Sequence, residues 1–202
     1  MSACKRAIEM SNGDVEAALV QLQKEGLIKA ADRAGRIATN GRLHVYNHGG
    51  SKIAIVEVNC ETDFNAKSPD FIEFCETVAM QIVGMSPQYV RAEDIPSRTQ
   101  AEQAAIFADA SKAAGVPDSR LATIVENKLR AWVKEVCLMD QKCAAIPEKT
   151  IEQLRIELIA KCGENVNVRR FVRWEVGEGL EKRPEQDLAA EVRKLTSTSH
   201  QQ

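Results

Sequence analysis

The stretch VEVNCETDFNAKSPDF, residues 56–71, decides how the chain is read. Its first four residues end an apolar run that begins near Ile53 and has the length and β-branched content of a buried strand. Ser68-Pro69 is a helix start, a side-chain oxygen for the cap followed by proline in the first turn. Phe71, Phe74, Cys75, Val78, Ala79, Ile82 and Val83 then recur at helical spacing. Between strand and helix lie Glu61, Thr62, Asp63, Phe64 and Asn65, too few residues for an independent helix. Asp63 and Phe64 must therefore occupy a tight turn or a single helical turn. Phe64 either points outward as an anchor beside a charge or folds back on Phe71 and the sheet.

Upstream, LHVYNHGGSKIAIVEVN (43–59) reads as a β-hairpin turning at Gly49-Gly50, with its second strand inside a sheet. The front of the chain reads as helix 3–10, a turn at SNGD (11–14), and a second helix capped by Asp14 and stopped at Gly26. AADRAGRIATNGR (30–42) reads as a basic linker. Downstream, segments 98–114 and 118–138 form a helical hairpin around Gly115 and Pro117. Trp132 falls in the apolar stripe of the second of these helices. Thr150 and Gln153 stand at capping-box spacing, and Gly163 closes that helix. The last strand spans 165–176. Strict alternation puts Val166, Val168, Val172, Trp174 and Val176 on one face, interrupted by Arg170, and Asn167, Arg169, Phe171, Arg173 and Glu175 on the other.

The fold class that results is α+β: a small antiparallel sheet packed with helices, a projecting helical hairpin and an N-terminal helical module. The expected divisions are a front module over 1–28, a linker over 29–42, a core over 43–180 with the hairpin near 98–138, and a polar tail over 181–202.

Composition limits the function. With 202 residues, 44% of them hydrophobic, the chain can bury a core, and a formal charge of −2 argues against a general nucleic-acid binder. No run of eighteen apolar residues reads as a membrane span. The six cysteines show neither a C-x-x-C pair nor finger-like spacing, and read as small buried hydrophobes. Glu61 and Asp63 could be a general acid and base or hard-metal ligands, yet no third group converges on them and the three histidines are scattered. Arg33, Arg36, Arg42, Arg169, Arg170 and Arg173 could meet RNA, but Phe171 and Trp174 lie on opposite strand faces and cannot form one stacking platform. Protein recognition through residues 61–64 remains, since an aromatic with a charged neighbour makes a typical hot spot.

Four segments in order carry a resemblance to a known family. VEVNCETDF (56–64) resembles the hallmark of elongation factor Ts, the nucleotide-exchange factor for elongation factor Tu. CKRAIEMSNGDVEAALVQLQKEG (4–26) is similar to its ubiquitin-associated-like module, AGRIATNGR (34–42) to its linker, and KCGENVNVRRFVRWEVGEGLEK (161–182) to its closing strand and C-terminal signature. The resemblance implies guanine-nucleotide exchange in translation elongation: binding to elongation factor Tu·GDP, release of GDP by disturbance of the magnesium and nucleotide site, and rebinding of GTP. It implies no covalent chemistry, no catalytic residues, no cofactor or metal, no stable nucleic acid and no membrane. Asp63 and Phe64 take the inserted positions, Thr62 and Asn65 flank them, and Met1, Cys4 and Lys5 of the front module touch the partner. Two features depart from the family pattern. Asn65 stands where the motif usually has valine, and the family's module usually carries a further helix ahead of the position of Met1, so either the true start lies upstream or the chain relies less on this module. The compact core resembles short forms of the family and leaves a homodimer open. The implied compartment is the bacterial cytoplasm, with a mitochondrial or plastid form stripped of its targeting peptide as the alternative. The competing reading is a translation-associated protein- or RNA-binding module without exchange activity.

Overall fold

The computed structural model describes residues 3–180, apart from the side chains of residues 3, 4 and 23. The tail expected over 181–202 and Met1 lie outside these residues. The front is a helix pair, α1 (Ala3–Met10) and α2 (Val15–Arg33). The turn between them uses positive φ at Asn12 and Gly13, and the Asp14 carboxylate accepts from the Glu16 and Ala17 amides as the N-cap.

Helix α2 does not stop at Gly26. It continues to Arg33, so the first part of the expected linker is helical. Gly26 is buried, and a Cβ built on it would lie 3.5 Å from Ile156 Cγ2 of α7 (Ile151–Cys162). The contact surface compensates the helix cost of glycine, which is about 1 kcal/mol. No proline follows to break the helix, and the chain leaves it only at Ala34.

Strands β1 (Asn40–His48), β2 (Lys52–Cys60) and β3 (Val166–Glu175) form one antiparallel sheet in that order. The apolar β2 is its centre, as the run of Ile and Val dictates. Gly49 and Gly50 both take positive φ in the hairpin turn. Helix α4 (Pro69–Met85) lies across β1 and β2, capped by Ser68 Oγ with Pro69 at its first position. Its inward residues Phe71, Cys75, Val78, Ala79 and Ile82 meet Ala54, Val56, Val58 and Cys60 from the sheet, and Ile151, Leu158 and Ile159 of α7 complete the core.

Strand β3 departs from strict alternation. Glu57 pairs with Arg170 whereas Val58 pairs with Val168, so Arg169 is an extra residue, a bulge. One inserted residue reverses the phase of everything after it. Val166 and Val168 face the core as expected, but Phe171 packs against the core, and Val172 and Trp174 face outward. Phe171 and Trp174 still lie on opposite faces. The expected grouping of Val172 and Trp174 with Val166 and Val168 is therefore wrong, because the alternation rule cannot see a bulge.

Helices α5 (Ser97–Ala113) and α6 (Asp118–Val136) form the helical hairpin. At its base Ile95, Val136 and Cys137 make a second small core, against which the half-buried Trp132 packs. Trp132 is thus a packing residue. No described helix is long and apolar enough to cross a membrane.

Candidate functional site

The connector after β2 forms one helical turn, α3 (Asp63–Ala66). Thr62 is its N-cap, extended at φ −124° and ψ 154°, with its hydroxyl oxygen accepting from the Asn65 amide at 3.3 Å. This turn resolves the open alternative for Phe64. Phe64 is 83% exposed, while Phe71 is fully buried in the core. An exposed phenyl ring at the end of the central strand gains nothing for the isolated fold, and it is available for burial against another molecule.

Asp63 is also exposed and pairs with Lys67 one turn on, Nζ to Oδ2 at 2.8 Å. The hydrogen bond and charge of Lys67 hold its carboxyl below the usual range, so it is anionic at neutral pH. Glu61 points elsewhere. It accepts the Asn165 amide at 2.6 Å and lies 3.6 Å from Arg36. The two acids therefore do not converge as an acid–base pair, and no cluster of three or more His, Cys, Asp or Glu is spaced for a metal among the described residues.

Asn65, the residue after Phe64, is 8% exposed. Its Oδ1 accepts from Ser68 Oγ at 3.4 Å, but its Nδ2 is buried without a hydrogen-bond partner among the described residues. An orphaned buried donor costs about 1–3 kcal/mol. Asn65→Val, which removes the orphaned donor, is expected to raise stability by about 1 kcal/mol. Urea denaturation of the two proteins measures this, and a lowered midpoint for the valine variant would refute the account of Nδ2.

The backbone beneath the tip is held from several sides. The Glu61 and Thr62 amides donate to one oxygen of Glu164, at 3.1 and 3.0 Å, and the Thr62 hydroxyl lies 2.6 Å from the other. Asn40 Nδ2 donates to the Glu61 carbonyl at 2.8 Å. Glu164 and Asn40 were not singled out in the sequence. The one available signal was a charged residue directly after the helix-closing Gly163, and nothing local ties it to a strand end a hundred residues earlier.

Four of the six arginines that suggested nucleic acid, Arg36, Arg169, Arg170 and Arg173, are matched by acids. Arg169 and Arg170 both reach Glu57, at 2.8 and 2.6 Å, and hydrogen bonds from the two guanidiniums bring that carboxyl down to about 2. Arg173 pairs with Glu175 and Glu178, Arg36 with Glu61, and Arg33 donates to the Gly163 carbonyl at 2.7 Å. The cysteines Cys60, Cys75, Cys137 and Cys143 are buried, and burial pushes the first three thiols up to about 11, 12 and 11. They are packing groups, protonated at neutral pH. Of the front-module residues, Lys5 is exposed with Glu9 3.9 Å away, while Met1 and the Cys4 side chain lie outside the described atoms.

The model of the family described as elongation factor TS matches residues 28–178, a span that includes the tip, its supports and the whole sheet. The chain belongs to the elongation factor Ts family. Curated family members agree along nearly the whole length. The elongation factor Ts of Carboxydothermus hydrogenoformans is 47% identical over 193 residues, covering 95% of this chain and 88% of that protein. That of Heliobacterium modesticaldum is 42% identical over 95% and 89%, and that of Geobacter sulfurreducens 44% identical over 94% and 88%. A place in translation elongation follows from this membership. Phe64, exposed on its braced turn, lies within the matched span.

Proposed function

We propose that this chain is a guanine-nucleotide exchange factor that binds elongation factor Tu·GDP, promotes GDP release and leaves the partner free to take GTP. The observation that supports this most is the outward Phe64, paired with an anionic Asp63 on a turn anchored to the central strand. In this reading Asp63 and Phe64 enter the partner near its magnesium and nucleotide site, with Thr62 and Asn65 supporting them. Met1, Cys4 and Lys5 of the front module contact the partner's nucleotide domain, a role that rests on the family resemblance. The chain makes and breaks no covalent bond, so it is not an enzyme in that sense. The bacterial relatives favour the cytoplasm as its compartment.

Exchange requires only that the factor bind the nucleotide-free partner more tightly than the nucleotide-bound one, and the coupling is reciprocal. A 10⁴-fold acceleration requires about 5.5 kcal/mol of differential stabilisation. Burying one phenylalanine supplies roughly 1.5–3 kcal/mol. The tip therefore acts within a larger interface, in which the helical hairpin and the core take part.

The outer sheet face is also unoccupied. Its paired rows Val45–Ile55–Val172 and Asn47–Ile53–Trp174 present Val45, Val172 and Trp174 to solvent, with Leu43 beside them. Such a face supports a homodimer through a second copy of the sheet. Sedimentation over a range of concentrations tests it: Trp174→Lys is expected to shift the chain toward monomer, and an unchanged mass distribution would remove the proposal.

The function is tested by following the release of fluorescent GDP from a bacterial elongation factor Tu at matched magnesium, with and without the chain. Acceleration at substoichiometric chain is expected. No acceleration at saturating chain, together with retained binding, would favour the alternative of a binding module without exchange.

A further inference from the structure

The Asp63–Phe64 turn is not held by its own strand alone. It rests on a reciprocal pair of carboxylates from two segments far apart in sequence. Glu164 receives the amides of Glu61 and Thr62 on one oxygen, and Glu61 in return receives the amide of Asn165. The second oxygen of Glu164 is 2.6 Å from Thr62 Oγ1. A carboxylate is only an acceptor, so the hydroxyl proton must point at Glu164. That leaves the lone pairs of Thr62 Oγ1 for the Asn65 amide, which caps the turn bearing Phe64.

Glu164 is itself placed by its neighbours. Gly163 closes α7 in the left-handed region at φ +77°, which reverses the chain and brings Glu164 back toward the end of β2. Arg33 holds the Gly163 carbonyl, and Asn165, 7% exposed, donates its Nδ2 to the Arg36 carbonyl at 2.9 Å. Three charge-assisted bonds therefore converge on one side chain from a braced turn. Asp63 and Phe64 have no comparable anchor of their own. Among the described residues the Phe64 ring is 83% exposed, and the Asp63 carboxylate accepts from Lys67 one turn on.

We propose that Glu164 is the positioning residue of the exchange tip: by orienting the Thr62 hydroxyl and fixing the 61–62 backbone, it presents Phe64 to the partner in the inserting geometry. This rests on the exchange reading above. Glu164 touches no partner atom in this role and acts through Thr62. Its removal lowers the rate reached when the partner is saturated, because a misplaced inserting group loses efficiency steeply. The concentration needed for saturation, set by the wider interface, changes little.

The test uses the full chain in two arms. In the first, GDP release from elongation factor Tu is followed over a range of chain concentrations for the parent, Glu164→Ala, Glu164→Gln, Phe64→Ala and the double variant Phe64→Ala with Glu164→Ala. Glu164→Ala is expected to lower the limiting rate about tenfold with a near-unchanged half-saturating concentration. Glu164→Gln, which keeps one acceptor oxygen, should recover part of the rate. The double variant should be no slower than Phe64→Ala alone, since both changes act through one tip. Full activity of Glu164→Ala, or losses that multiply in the double variant, would overturn the proposal. The second arm needs no partner and reads amide hydrogen exchange. Glu164→Ala should lose protection at Glu61, Thr62 and Asn65 while Val56 and Val58 keep theirs. If the parent fails to accelerate GDP release, the exchange reading falls, and this arm alone decides whether Glu164 holds the turn. Unchanged protection there refutes that role.

Discussion

Phe64→Ala is expected to slow GDP release from elongation factor Tu by about ten- to a hundredfold relative to the parent chain, with the fold left intact. The size follows from burial. Covering a phenyl ring is worth roughly 1.5–3 kcal/mol, and each 1.4 kcal/mol is about tenfold in rate when the contact forms only on the way to release. The intact fold follows from exposure. At 83% accessible, the ring contributes almost nothing to the free protein, so its loss should move stability by less than about 0.5 kcal/mol. The two readouts separate cleanly: stopped-flow release of fluorescent GDP for the first and urea denaturation for the second. Phe64→Leu, which restores apolar bulk without the ring, should fall between parent and alanine. An unchanged release rate for the alanine variant would remove Phe64 from the mechanism, whatever the rest of the interface does.

Gly41→Ala should have the largest effect on stability. Gly41 opens β1 at φ +152°, outside the range that side chains readily adopt, and a Cβ there would lie 2.2 Å from the Val58 carbonyl oxygen and 2.7 Å from the Asn59 Cα. Both obstacles are backbone atoms of the central strand, so no side-chain rotation relieves the clash. Either the start of β1 separates from β2 or the sheet shifts against α4, and a loss of about 3 kcal/mol or more is expected. Gly35→Ala is the control, because a Cβ there meets nothing within 4 Å and its φ is not positive. Equal denaturation midpoints for the two variants would show that the strand crossing is looser than these distances imply. Since Asn40 also holds the Glu61 carbonyl, displacement of this strand end should disturb the support beneath Phe64 as well.

These two residues illustrate different kinds of legibility. Phe64 could be singled out from its place between a strand end and a helix start, but its direction could not. Whether a ring folds inward depends on the space left by Phe71 and α4, which is a property of packing. Gly41 read as one residue of a basic linker. Its need for a bare Cα arises from a partner strand some eighteen residues later, and no local pattern reports that approach.

Local chemistry determined the elements. The caps at Asp14, Ser68 and Thr150, the glycine pair of the β1–β2 turn and the stop at Gly163 each involve groups within a few residues, so their energetics are written in the adjacent sequence. Apolar periodicity likewise placed α4 on the sheet and β2 at its centre. What only the tertiary structure decided involves partners far apart along the chain: α7 carrying α2 past Gly26, the bulge at Arg169 turning Trp174 outward, and Glu164 bracing the turn beneath Phe64. The physical reason is the same in each case. Periodicity and capping depend on neighbours that the chain always supplies, whereas close approach, strand phase and a shared carboxylate depend on which distant surfaces folding brings together.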